Sequence, residues 1–138
     1  MSDYLLKSLI AVVFLGTIVT SFLSMMTLMG RVSHKATPER LRKIHKWSGI
    51  VALVLLAPLV YLGADFLSEI GEGLTVRAVF HFVLAALLLS LIILKVMVVW
   101  FYKPLMKYAM GLGMAIFAIT IVIFVITAGY FFLLRGIP

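Results

Sequence analysis

The sequence predicts an all-α integral membrane protein, four transmembrane helices threaded up-down-up-down as a single four-helix bundle over residues 1–138. Three observations predict it. The chain is 64% hydrophobic and only 12% charged, with a mean hydropathy of +1.24, whereas soluble domains carry about 25% charged residues. Four apolar runs, about 5–29, 44–66, 76–101 and 108–134, are each long enough to cross a ~30 Å hydrocarbon layer at ~1.5 Å per residue. The connections between them are short, which makes consecutive helices antiparallel neighbours. No soluble domain, internal repeat or low-complexity tract stands outside these runs.

The first run, Leu5 to Gly30, exceeds the 7–15 apolar residues of a signal-peptide core. Its Ser and Thr residues are dispersed rather than gathered at a cleavage site, so it is expected to remain as a helix. The second helix has a start signal in Thr37-Pro38-Glu39-Arg40. Thr37 suits the N-cap, and Pro38 suits the first turn, where its missing N–H costs nothing. That start precedes the membrane and places Arg40, Arg42 and Lys43 at the headgroups. Asp65 to Gly73 reads as a polar outer loop, Val76 to Phe101 as the third helix, and Pro104 as the residue that ends it or opens the fourth. Tyr61, Tyr130, Phe131 and Phe132 read as outer-interface aromatics.

Charge orients the bundle. The connection from Arg31 to Lys43 holds Arg31, Lys35, Arg40, Arg42 and Lys43, with Lys46 just beyond, against Glu39 alone. The next connection reverses the balance with Asp65, Glu69 and Glu72 against Arg77, and the last returns to Lys103 and Lys107. By the positive-inside rule both basic connections face the cytoplasm and both termini the opposite side, with a prokaryotic inner membrane as the expected location. Lys7 and Arg135 lie against the rule, but single charges near helix ends can snorkel. The net charge of +7 is thus assigned to an anionic leaflet and not to nucleic acid. The expected partners are the lipid bilayer and other membrane or redox subunits.

Composition also removes chemistries. The absence of Cys excludes disulfides, thiolate metal sites, Cys-ligated iron–sulfur clusters and thioether-attached haem. Five acids cannot furnish a carboxylate-rich metal cage. No Walker loop, dinucleotide fingerprint or HExxH run is present.

What remains is a small set of polar groups in apolar helices. His81 and Lys95 stand fourteen residues apart in the third helix. At ~100° per residue they share a face to within ~40° while lying ~21 Å apart, one near each leaflet. An ionisable residue in such a position is a functional hypothesis because its cost in hydrocarbon must be offset by a partner, cavity or ligand. His45 opens the second helix, with Gly49 one turn on and Gly63 continuing that face. A flat ring such as a porphyrin could approach there, or His45 and Trp47 are an interfacial pair and Gly49 a small-residue helix contact. His81 could bind haem iron, exchange a proton with a quinone headgroup, or hydrogen-bond across the bundle. The two histidines begin antiparallel helices at opposite ends, ~20 Å apart in height, and so cannot share one iron. Lys95 has no Asp or Glu in any inner-leaflet segment to pair with it. It snorkels, meets a haem propionate or lipid phosphate, or ligates a metal as a neutral amine. Met25, Met26, Met29, Met97, Met106, Met110 and Met114 cluster in the cytoplasmic half. Met110 and Met114 are the candidate thioether ligands, the other role of such residues being to fill irregular space.

The run His45-Lys46-Trp47-Ser48-Gly49 resembles the His-Arg-aromatic-x-Gly entry of small four-helix transmembrane cytochrome b-like proteins of the ferric-reductase-like group. The third helix, with thirteen residues between His81 and Lys95, is similar to the histidine pair of that group. Lys103 to Tyr108 leading to Gly111, and Thr127-Ala128-Gly129-Tyr130, are similar to its fourth helix. The resemblance spans Leu41 to Tyr130. It implies haem b, and electron transfer across a membrane by two stacked haems held by two histidines on each of two helices. This chain departs from the pattern. Pro58 and Leu59 occupy the place of one histidine and Lys95 that of another. That leaves His45 with Lys95 or a Met on one level and His81 with an unidentified partner on the other.

The expected function is therefore that of a membrane electron-transfer subunit, a b-type haem cytochrome or cytochrome b-like protein exchanging electrons with quinone or a partner redox protein. The alternative is a cofactor-free structural or anchor subunit of a larger membrane complex. A transporter or assembly factor would call for broken helices at corresponding positions, which are absent.

Overall fold

The computed structural model describes residues 3–30 and 37–135. Arg31 and Lys35 of the basic connection, and the side chain of Arg135, lie outside the described residues. Among those described there is no strand. The helices are α1 (Asp3–Leu28), α2 (Pro38–Ile70), α3 (Val76–Trp100), α4 (Ala109–Phe124) and α5 (Tyr130–Arg135). A 3₁₀ segment, Lys103–Tyr108, precedes α4, and a π-turn, Val125–Gly129, joins α4 to α5. Four runs are long and apolar enough to cross a membrane, the last being Lys103–Leu134 taken as one. The protein is all-α and integral to a membrane. Side chains such as Val54, 66% exposed, Val83, 61%, and Leu133, 84%, are compatible with lipid rather than water around the helices.

The ends of the helices follow local chemistry. The Thr37 hydroxyl accepts a hydrogen bond from the Arg40 N–H at 3.4 Å, and Pro38 is in the first turn, as its residue type requires. α2 then runs 33 residues, ~50 Å, well beyond the hydrocarbon thickness. It continues through Pro58 and, against expectation, through Asp65 to Ile70. Neither Pro nor Gly occurs between Gly63 and Gly71, whose φ of 57° ends the helix in a conformation that glycine tolerates. The polar loop is therefore Gly71–Thr75, shorter than the expected Asp65–Gly73, and Asp65 and Glu69 ride on the last turns of α2. Thr75 caps α3 by accepting from the Ala78 N–H at 3.3 Å. At the other end of α3, Pro104 opens the 3₁₀ segment, and the Leu105 N–H donates to the Tyr102 carbonyl at 2.8 Å.

The chain forms two compact units, Met1–Glu72 and Gly73–Pro138. In the first, α1 and α2 are antiparallel: Lys7, early in α1, lies with its ammonium 5.5 Å from the ring centre of Phe66, late in α2, while Ser21 meets His45 near the opposite end. Lys7 is thus held over an aromatic face. Phe14, Ile18 and Ser24 of α1 and Leu41 and Ala52 of α2 are buried. The spacing 41, 45, 48, 52 is a helical stripe, which puts His45 on the face of α2 turned to α1.

In the second unit α3 and α4 are likewise antiparallel, because Lys95 lies beside Gly113 and Arg77 beside Tyr130. Leu88, Ile92 and Val98 are buried on α3, and Ile116, Thr120 and Ala128 along the fourth span. Two α-turns occupy ~7.2 residues, so Ala128 would drift off the stripe begun at Thr120. The π-turn accommodates one extra residue and returns Ala128 to the buried face. Hydroxyls along the helices are satisfied locally: Thr120 donates to the Ile116 carbonyl at 2.7 Å, and Ser90 to Ala86 at 2.8 Å. With no water in hydrocarbon, back-bonding is the cheapest solution for such groups.

Candidate functional site

His45 is the most organised polar group of the first unit. It follows the cationic first turns of α2, and the α1–α2 stripe turns its half-buried ring toward Ser21. Its Nδ1 lies 2.9 Å from the Ser21 backbone carbonyl and 3.1 Å from the Ser21 hydroxyl. A carbonyl oxygen only accepts, so Nδ1 carries the hydrogen and donates. In the neutral ring Nε2 then holds its lone pair, free to accept a proton or ligate a metal. The same carbonyl also accepts from Ser24 at 2.9 Å, which braces the acceptor.

His45 lines an open hollow of about 400 Å³ together with Met25, Leu28, Met29 and Arg42. This grouping contains one imidazole, two thioethers and one guanidinium. Met110 and Met114 belong to the second unit, while the thioethers lining this hollow are Met25 of α1 and Met29, one turn on and just past the end of that helix. The helical spacing of that pair is visible in the sequence, but its position beside His45 follows from antiparallel pairing of α1 and α2. A Cβ built on Gly49 or Gly63 would meet no heavy atom within 4 Å, so both glycines leave open space.

The second unit holds the other two candidates at opposite ends of one stripe of α3, residues 77, 81, 85, 88, 92 and 95. His81 is half-buried, its ring edge-on to Phe82 at 5.8 Å, and its Nδ1 is buried without a hydrogen-bond partner among the described residues. One turn outward, the Arg77 guanidinium stacks 4.1 Å from the ring centre of Tyr130. That pairing escapes sequence reading because the π-turn sets the direction of Tyr130. Lys95 is half-buried, and its Nζ lies 3.2 Å from where a Cβ of Gly113 would be. The Gly111-Leu112-Gly113 run makes α4 thin there, and a Cβ at 113 would crowd the ammonium by a few tenths of an ångström.

Among the described residues no three His, Cys, Asp or Glu side chains come together as a metal-binding group. Among the described residues His45 and His81 are each the single histidine of their unit, suited to a metal that brings most of its ligands with it; His34 lies outside the described residues.

The chain was compared with known families and proteins. The model of a family of unknown function, DUF6529, matches residues 1–138, and the chain belongs to that family. No curated protein and no solved structure matches it.

Proposed function

We propose that this DUF6529 protein is a membrane electron-transfer subunit that holds a b-type haem through His45 and exchanges electrons with quinone or a partner redox protein. One observation carries the reading: the 2.9 Å bond from His45 Nδ1 to the Ser21 carbonyl leaves Nε2 as the ligating nitrogen. A second-shell acceptor on the far ring nitrogen is what metal-ligating histidines almost always have. The donor set fits a haem. Met25 and Met29 offer a thioether as second ligand, and Arg42 offers a cation for a carboxylate. The likeness of His45-Lys46-Trp47-Ser48-Gly49 to cytochrome b-like proteins supports the same reading.

A bound haem supplies the one-electron carrier, and the chain supplies the rest. Ser21 fixes the tautomer and the ring plane of His45. The apolar side chains of Leu28, Met25 and Met29 lower the dielectric around the ligating nitrogen, which makes charges there interact more strongly. Both basic connections face the cytoplasm in this reading, and the membrane is a prokaryotic inner membrane.

The test is an absorption spectrum of the purified protein. A Soret band that shifts on reduction, and that is lost in His45→Ala, is the expected result. A colourless preparation from haem-replete cells rejects it in favour of the second reading, a cofactor-free anchor subunit. One feature favours that alternative: a groove of about 580 Å³ along α1 and α2, bordered by Gly16, Thr17, Thr20, Ile44, Trp47 and Ser48. Small residues of this kind let another helix approach closely.

A further inference from the structure

Lys95 is the one group whose surroundings are incomplete in a way that names what is missing. The last acid of the chain is Glu72, so residues 73–138 contain no Asp or Glu, while they carry Arg77, Lys95, Lys103, Lys107 and Arg135. Arg77 has the Tyr130 ring and Lys107 the Tyr108 ring, the latter 5.0 Å from its ammonium. Lys95 has neither, and no described residue hydrogen-bonds to its Nζ. Its ammonium is held against α4 at Gly113, four residues or ~6 Å inside the start of that helix. The α4 entrance adds to the positive field, because Tyr108 provides no side-chain cap and the helix N-terminus carries partial positive charge. Lys103 and Lys107 are exposed at the same end. Every charged residue of the second unit has this one sign.

We infer that the notch formed by Lys95 and Gly113 is a binding site for an anionic phosphate group carried by an amphipathic molecule lying in the membrane beside α3 and α4. A half-buried ammonium in hydrocarbon requires oxygen acceptors, and no described residue hydrogen-bonds to this one. Gly113 supplies the room: with no Cβ on α4 at that point, Nζ lies 3.2 Å from where one would be. An amphiphile is the fitting bearer, since its apolar body shares the hydrocarbon with the exposed side chains of Leu94, Met97 and Met114. The bearer is a phospholipid with a net anionic headgroup, and this reading is independent of the haem.

Native mass spectrometry of the full chain in neutral detergent tests this, with phosphatidylglycerol and phosphatidylcholine of matched acyl chains as probes. The protein is expected to retain phosphatidylglycerol preferentially. Lys95→Met then lowers that retention about tenfold, the equivalent of one charge-assisted hydrogen bond. Lys103→Met, which removes an exposed cation nearby, leaves it in place. A colourless preparation with Lys95-dependent lipid retention ends the haem reading and supports the notch. The inference is overturned if the two lipids are retained equally, if Lys95→Met leaves retention unchanged, or if Lys95→Met and Lys103→Met reduce it equally.

Discussion

The Nδ1 of His45 lies 2.9 Å from the backbone carbonyl of Ser21, across the α1–α2 interface. The contact joins two helices through a main-chain acceptor that no side-chain substitution at Ser21 removes. It also decides which ring nitrogen remains available, and so converts a lone histidine near a helix start into an oriented donor.

Ser21→Ala should therefore leave the haem spectrum in place. It removes the 3.1 Å hydroxyl contact and keeps the carbonyl one, at a cost of about 1 kcal/mol or less in thermal stability. His45→Ala should remove the Soret band altogether. Equal loss of the band in both variants would mean that the hydroxyl, and not the carbonyl, sets the ring.

Met25 and Met29 should matter to the spectrum more than Met110 and Met114. Replacing each with Leu keeps the volume and removes the thioether, with a fold cost usually below about 1.5 kcal/mol. A change in the reduced spectrum on Met25→Leu or Met29→Leu is expected. An unchanged spectrum in both Met25→Leu and Met29→Leu would exclude the thioethers of this hollow as ligands.

Arg77 and Tyr130 should behave as a coupled pair. The 4.1 Å stacking is worth about 0.5–1 kcal/mol at an exposed site. Arg77→Gln and Tyr130→Leu should each lower the melting temperature, and the double variant should lose less than their sum. Strict additivity in that thermal cycle would show that the stacking contributes nothing.

Gly113→Leu should destabilise the second unit by about 1–3 kcal/mol through overpacking against Lys95. Shortening the lysine in Gly113→Leu/Lys95→Ala should recover most of the loss. Thermal unfolding in detergent reads both, and a mild Gly113→Leu would show that Lys95 moves aside freely.

Because the chain has no Cys, single cysteines placed at Ser2 and at Lys103 report topology without background. A membrane-impermeant thiol reagent added to intact cells should label the first and spare the second. The reverse pattern would invert the orientation assigned from the basic connections.

The number and approximate limits of the membrane helices, the Thr37 cap and the absence of cysteine chemistry could all be read from the chain. Hydropathy and capping are properties of neighbouring residues, and a run of apolar side chains needs no partner to be recognised. Even there, the sequence could not tell that α2 carries Asp65 and Glu69 on its last turns, because acidic residues are tolerated in a helix that has already left the hydrocarbon. His45, His81 and Lys95 were visible as misplaced polar groups, but their partners were not. Which faces of two helices meet depends on rotation about each axis, and one inserted residue shifts that rotation by ~100°. The π-turn at Val125–Gly129 is such an insertion. Only the tertiary structure therefore decided that a Ser21 carbonyl orients His45, that Gly113 receives Lys95, and that Arg77 finds Tyr130.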